Sequence, residues 1–265
     1  AAFKTINDEL SKVIVGQQEV IEQVLVAMLA RGHALLEGVP GLAKTLLISS
    51  LAEAMHMSFK RIQFTPDLMP SDITGTEIIQ EDPETNQRAY KFLPGPLFAN
   101  MVLADEINRT PPKTQAAMLE AMQERHISAG GTMHNLPDPF FVLATQNPLE
   151  QEGTYPLPEA QVDRFMLKVK ITYPKPDEER KVLDMALDDA IRPVQEVVHP
   201  QDIFDMQDVV RMIYIDDQVK DYIVSVVRST REPGEFKLAK VSPLIDFGAS
   251  PRATIFLGIG ARANA

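Results

Sequence analysis

Residues 37–45 read EGVPGLAKT. They follow the phosphate-loop pattern G-x-x-x-x-G-K-[ST] except that Ala43 stands where the second glycine would be. In such a loop the backbone around Gly38, Val39, Pro40, Gly41, Leu42 and Ala43 would wrap phosphate oxygens. The following helix, with Leu46 in its first turn, would aim its positive end at them. The Lys44 ammonium would sit near the outer phosphates, and the Thr45 hydroxyl would be offered to a magnesium ion. The missing glycine matters only if position 43 needs a positive φ or a close backbone approach. As the residue leading into a helix, Ala43 is expected to take ordinary helical angles. A plain glycine turn before a helix is the competing reading.

Four further positions could complete a phosphoryl-transfer site. VLADE ends an apolar run with Asp105 and Glu106. Asp105 would hold the magnesium and Glu106 would orient and polarise an attacking water; a strand ending in solvated acids is the alternative. Asn147, after FFVLATQ, could share that water and sense the outer phosphate, although Asn-Pro is also a turn signal. Arg164 in EAQVDRF and Arg252 in GASPRA could stabilise charge on a transferring phosphoryl group, or could each form a surface salt bridge. Arg109 in DEINR is placed near the acids without an assigned role.

The elements needed to position these residues can be read from apolar patterning. HALLEG (33–38) reads as a buried strand, and 44–57 as a helix through Leu47, Leu51 and Ala54. The order strand, glycine loop, helix is the context a phosphate loop requires. Val20, Val24 and Met28 place a helix over 17–30, stopped by Gly32. FKRIQF (59–64), MVLADE (101–106), FFVLATQNP (140–148) and FMLKVKI (165–171) are further strands. Thr110 with Pro111-Pro112 predicts a helix start and a helix to about Arg125. Residues 75–93 read as two short strands around a polar turn, and RHISAGGTMHNL as a hairpin. Strand–helix alternation to about residue 173 predicts an α/β core with a mainly parallel sheet covered on both faces. Beyond Pro176 three helical segments follow without strands, predicting a separate helical domain.

Composition narrows the function classes. The chain has 265 residues, 45% apolar and 24% charged, as in ordinary globular proteins. The longest apolar run, 24–30, is too short to cross a bilayer, so no transmembrane segment is expected. The first residues do not read as a secretory signal. No cysteine is present, which excludes disulfides and thiolate metal sites and fits a cytoplasmic location. The net charge of −11 weighs against nucleic-acid binding. None of the five histidines has a recognisable ligand spacing.

Taken in order, these motifs resemble the MoxR family of AAA+ ATPases. VIVGQ (13–17) resembles the segment flanking adenine, which adds Val15, Gly16 and Gln17 to the candidate nucleotide-binding residues. GVPGLAKT resembles that family's phosphate loop, in which alanine before the lysine is usual. LADEINRTPPKTQAAMLEAMQE resembles its Walker B strand and following helix, FFVLATQNP sensor 1, LPEAQVDRF the arginine-finger stretch and GASPRA sensor 2. The resemblance implies an AAA+ P-loop core over 1–174 with strand order 5-1-4-3-2. It also implies a helical lid over 175–265, shorter at its C-terminal end than the family's usual form. Residues 75–93 would be an insertion in helix 2 and 126–136 the hairpin before sensor 1. Assembly into a homo-oligomeric ring, commonly a hexamer, is implied, with Mg-ATP between subunits and Arg164 reaching the neighbour's γ-phosphate. The implied role is chaperone-like remodelling of protein substrates, with a von Willebrand factor A domain protein as partner, in assembly or cofactor insertion. A DNA-translocating motor and a poorly hydrolysing scaffold are the alternatives. Glu77, Glu81, Asp82 and Glu84 against Arg88 and Lys91, and the absence of lysine and arginine from HISAGGTMHNL (126–136), weigh against the motor.

Overall fold

The computed structural model describes residues 2–39, 41–81, 88–147, 153–188 and 193–265. Helices α1 (Ala2–Leu10) and α2 (Gln18–Leu29) precede strand β1 (Ala34–Glu37) and α3 (Lys44–Ala54). Strand β2 (Phe59–Gln63) and the short α4 (Pro70–Thr74) lead into a ribbon of β3 (Gly75–Glu81) and β4 (Arg88–Pro94). Strand β5 (Met101–Asp105) is followed by α5 (Pro112–Glu124) and the hairpin of β6 (His126–Ala129) and β7 (Thr132–Asn135). Strand β8 (Phe141–Gln146), α6 (Glu159–Val162) and β9 (Leu167–Lys170) complete the sheet-bearing part. Only helices follow among the described residues: α7 (Pro176–Leu187), α8 (Pro200–Met212), α9 (Asp217–Arg231) and α10 (Pro251–Asn264), with one 3₁₀ turn (Ser242–Leu244).

The main sheet has the order β2-β5-β8-β1-β9, with every pair parallel. Counting only its own strands, this is the expected 5-1-4-3-2 viewed from the other edge. Central strands β5 and β8 are buried on both faces, as near-continuous apolar runs require. Edge strands β2 and β9 keep charged and polar residues on exposed positions. Along each central strand successive side chains enter opposite cores. Leu36, Leu103 and Leu143 pack with α1, α2 and α3, whereas Leu35, Val102 and Val142 pack with Ile73 of α4 and Met118 of α5. The predicted two-face coverage is therefore present, and the carboxyl ends of β1, β5 and β8 share one edge.

Two local expectations need correction, and one helix was not expected at all. Helix α1 was not foreseen, yet Ile6 and Leu10 are buried in the first core. Thr110 does not cap α5: Pro111 occupies that position without a side-chain bond. Thr110 is fully buried, and its carbonyl accepts a hydrogen bond from Gln115 Nε2 at 3.1 Å. At the end of α2 the left-handed residue is Arg31 (φ 56). Gly32 is needed instead for close packing, because a Cβ there would lie 2.6 Å from Met166 Sδ.

The helical region is anchored to the sheet-bearing part by a strap. Val197 and Val198 N–H groups donate to Ala54 O at 2.9 and 3.1 Å. Gln195 N donates to Glu9 Oε1 at 2.8 Å. Val198 and Ile203 join the first core, and the buried Gln207 Nε2 donates to Met28 O at 3.0 Å. Helices α8 and α10 thereby pack on α2.

Candidate functional site

The loop between β1 and α3 brings its backbone against the sheet edge. Gly38 N lies 3.5 Å from Gln146 O. A Cβ on Gly38 would lie 2.8 Å from Ile171 O, so only glycine fits there. Gly41 has φ +86 and open space above its Cα. Ala43 has φ 52 and ψ 26, the left-handed region, where helical angles were expected. The reason is geometric. Leu42 is buried in the first core, and the chain must reverse its curvature on both sides of that anchor to enter α3. Alanine in this conformation costs about 1–2 kcal/mol, so the substitution for glycine stores strain in the loop. Pro40 is outside the described residues. Leu46 is exposed on the first turn of α3, and Val39 and Thr45 are half-buried.

Lys44 Nζ donates to Gly38 O at 2.7 Å and lies 3.3 Å from Val39 O, closing the loop on itself. Burial lowers the lysine's pKa, while the charges of Asp105 and Glu106 oppose that shift. The ammonium and both carboxylates are thus in one electrostatic neighbourhood. It lies at the amino end of an 11-residue helix, where the macrodipole favours anions.

Asp105 and Glu106 are fixed by a closed hydrogen-bond circuit. Register opposes Gln63 to Asp105 across β2 and β5. Arg61 donates to Asp105 Oδ2 from Nε at 3.0 Å and Nη2 at 2.5 Å. Its Nη2 also donates to Gln63 Oε1 at 2.6 Å, and Gln63 Nε2 donates to Glu106 Oε2 at 2.7 Å. On the other side Glu106 N donates to Thr145 Oγ1 at 2.8 Å, and that hydroxyl donates to Asp105 Oδ1 at 2.6 Å. Arg109 Nε lies 3.3 Å from Glu106 Oε2, which gives this arginine a place in the site. Glu106 itself is left-handed (φ 58), which turns its side chain away from the strand's alternation. Reading the sequence did not single out Arg61, Gln63 or Thr145. Two polar side chains in alternation near the end of a strand were the only signal.

Asn147 follows β8 immediately, one residue past Gln146, and is half-buried. Gln17 joins the segment 15–17 to the loop, with Nε2 3.4 Å from Leu42 O. Its Oε1 is buried without a partner among the described residues. Gly16 lies against the Glu178 carboxylate of α7. Val15, Gly16 and Gln17 are all half-buried, at the junction of the loop and the helical region.

The structure does not bring Arg164 and Arg252 to Lys44. Met166 N donates to His33 O at 2.8 Å, so Arg164 belongs to the amino edge of β1 and Lys44 to its carboxyl edge. Four residues of strand separate them, roughly 13 Å. Arg164 Nη1 instead donates to Gln123 Oε1 at 2.5 Å and lies 3.4 Å from Leu119 O. Arg252 Nη1 lies 3.9 Å from Asp163 Oδ2. Together with Arg31 and Arg125 these two arginines line a cleft of about 230 Å³. Asp138 pairs with Arg31 at 2.8 Å and Arg125 at 3.7 Å, so positive charge dominates the cleft. Burial, then the charge of Arg31, lowers the Arg125 pKa.

The donor set at the loop fits a nucleotide's phosphates with magnesium. Open backbone at Gly41, a desolvated ammonium and a helix amino end suit a polyanion. Among the described residues no group of three or more His, Cys, Asp or Glu could hold a metal alone. A magnesium there would be held by the Thr45 hydroxyl and, often through water, by Asp105, and would supply positive charge beside the phosphates.

Comparison with known proteins agrees with this geometry. The profile of the ATPase family associated with various cellular activities (AAA) matches residues 33–167. Chaperone MoxR1 of Mycobacterium tuberculosis is 45% identical over 259 residues, covering 97% of this chain and 67% of that protein. Protein MoxR of Methylorubrum extorquens is 29% identical over 275 residues, covering 97% and 78%. A crystal structure of a protein from Cytophaga hutchinsonii superposes with a TM-score of 0.91 at 45% identity, covering 99% of this chain and 78% of that one. The chain belongs to the MoxR family of AAA+ ATPases.

Proposed function

We propose that the protein hydrolyses Mg-ATP as a homo-oligomeric ring, commonly a hexamer in this family, and uses the turnover to remodel partner proteins. One observation carries the reading: Lys44 shares a neighbourhood with Asp105 and Glu106, whose carboxylates are held by the Arg61–Gln63–Thr145 circuit. Lys44 would hold the outer phosphates, and Thr45 with Asp105 would hold the magnesium, which when bound would supply neutralisation of the phosphates' negative charge. Gln63 and Arg109 occupy Oε2 of Glu106, leaving Oε1 to accept a hydrogen bond from the attacking water, shared with Asn147. Val15, Gly16 and Gln17 flank the base. Residues 1–174 act as the core and 175–265 as the lid.

The separation of Arg164 and Arg252 from their own Lys44 supports action across a subunit boundary. Two arginines in an electropositive cleft at the opposite sheet edge suit a γ-phosphate bound by a neighbouring copy. They would stabilise the charge of the transferring group there.

A relative is named a chaperone, and the exposed chemistry of the two hairpins favours protein over DNA as substrate. Ile79, Tyr90, Leu93 and Met133 are exposed on the ribbon and hairpin, and residues 126–135 contain no lysine or arginine. A von Willebrand factor A domain protein is the partner expected from the family. No helix among the described residues is long and apolar enough to cross a membrane.

Subunit mixing tests the reading. Arg164→Ala protein, with an intact Glu106, is titrated into Glu106→Gln protein, with an intact Arg164. Hydrolysis should reappear at intermediate ratios; mixtures no more active than the separate proteins would remove the action across an interface.

A further inference from the structure

The two arginines are joined through one carboxylate to which the reading above gives no task. Asp163 closes α6 directly before Arg164, its N–H donating to Glu159 O at 2.9 Å. Ser250 Oγ lies 2.6 Å from its Oδ1 and 2.8 Å from its Oδ2, so the single hydroxyl hydrogen is shared between them. The same Oγ accepts Arg252 N at 3.0 Å and caps α10. Arg252 Nη1 stands 3.9 Å from Asp163 Oδ2. One acid and one hydroxyl therefore connect the element bearing Arg164 to the element bearing Arg252.

The placement is specific. Asp163 is the residue before Arg164, and Ser250 is two residues before Arg252. Gln195 to Glu9, Gln207 to Met28, Val197 and Val198 to Ala54, and Glu196 to His56 also tie the helical region to the core, and none of them touches either arginine. Arg164 is already fixed on its core side by Gln123 and Leu119. Its Nε is buried without a partner among the described residues. Any displacement of the amino end of α10 away from α6 must strain or break the Asp163–Ser250 contact. The Asp163 charge also faces the Arg252 guanidinium, which lines the same cleft as Arg31, Arg125 and Arg164.

We propose that Asp163 is a positioning residue. Through Ser250 it sets the start of α10 against Arg164, so that Arg164 and Arg252 meet a neighbouring subunit's phosphoryl group as a fixed pair. The inference rests on the reading that this cleft receives that group. It adds that the orientation of the helical region and the presentation of Arg164 are coupled at one contact.

The test uses the full chain in steady-state ATP hydrolysis over a range of ATP, with thermal melting alongside. Asp163→Ala should lower kcat about tenfold or more and leave KM within about twofold, since the nucleotide's own pocket is untouched. Ser250→Ala should do the same, and the double variant should be no worse than either single one. Asp163→Asn, which keeps an acceptor for Ser250 Oγ, should retain more activity than Asp163→Ala. A merely structural tie predicts lower melting temperatures with unchanged kcat, and that result would overturn the proposal. Multiplicative losses in the double variant would overturn it too. If Asp163→Ala does not fold, Ser250→Ala with wild-type kcat is sufficient to overturn it. Arg164→Ala separates the two levels of the argument. Wild-type turnover in Arg164→Ala sinks the cleft reading together with the tether. An inactive Arg164→Ala beside a fully active Asp163→Ala sinks the tether alone.

Discussion

Lowering the pH from 7.5 to 5 should weaken the fold through His33, which is buried between the sheet and α5. Its Nδ1 accepts the Val142 N–H at 3.0 Å, and Nε2 donates to Met122 O at 3.2 Å. Its ring stacks on Phe141 at 6.2 Å. Protonation would set an N–H against the Val142 N–H and place a charge in an apolar core. Burial is the main cause that brings the folded pKa to about 4; the Met122 bond opposes it and the Arg125 charge adds to it. In the unfolded chain the value is about 6.5. Between these values the unfolded state binds more protons. The stability associated with neutral His33 is therefore complete above pH 6.5 and is lost as pH falls toward 4. Linkage gives a loss of about 2 kcal/mol at pH 5 and about 3 kcal/mol below pH 4. Urea unfolding of the wild type and His33→Gln at pH 7.5 and pH 5 isolates the effect, because glutamine does not titrate. The wild type should lose about 2 kcal/mol more than the variant between the two conditions. Equal losses in both proteins would refute the argument.

Two further perturbations address the site. Ala43→Gly should relieve about 1–2 kcal/mol of left-handed strain, against about 0.4–1 kcal/mol for the greater freedom of the unfolded chain. A melting temperature a few degrees higher is expected, and a lower one would place Ala43 at helical angles after all. Thr145→Val keeps the shape but leaves Glu106 N–H and Asp105 Oδ1 without their shared hydroxyl. Urea unfolding should register a loss of about 1.5–3 kcal/mol and turnover should fall with it; a change under about 0.5 kcal/mol with full turnover would dissolve the proposed circuit.

Much of the fold could be read from the sequence because its strands bury both faces. MVLA (101–104) and FVLA (141–144) are continuous apolar runs, and this signal survives without knowledge of their neighbours. The glycine loop and the acid pair were equally local. What escaped the sequence was decided by partners distant in the chain. Thr145 reads as an ordinary strand residue until β8 is set beside β5. Arg61 and Gln63 belong to an edge strand whose alternation resembles solvent exposure. The helical angle expected at Ala43 ignored the pull of the buried Leu42. The sequence left Arg252 without a place relative to Lys44, whereas the family resemblance already assigned Arg164 to a neighbour's phosphate. The parallel register of β1 and β9, with α10 docked on Asp163, puts both arginines at the edge opposite Lys44. Helix α1 was missed because it is short and its two buried apolar residues, Ile6 and Leu10, show their inward face only once α1 is packed on α3 and α2.

The most direct test of the central claim compares Mg-ATP binding and turnover in the wild type and Glu106→Gln. The account predicts that both proteins bind ATP with affinities within a few-fold. Turnover by Glu106→Gln should fall by about 10²–10⁴, the range for losing a positioned base. Undiminished turnover in Glu106→Gln, or no ATP binding by the wild type, would contradict the account.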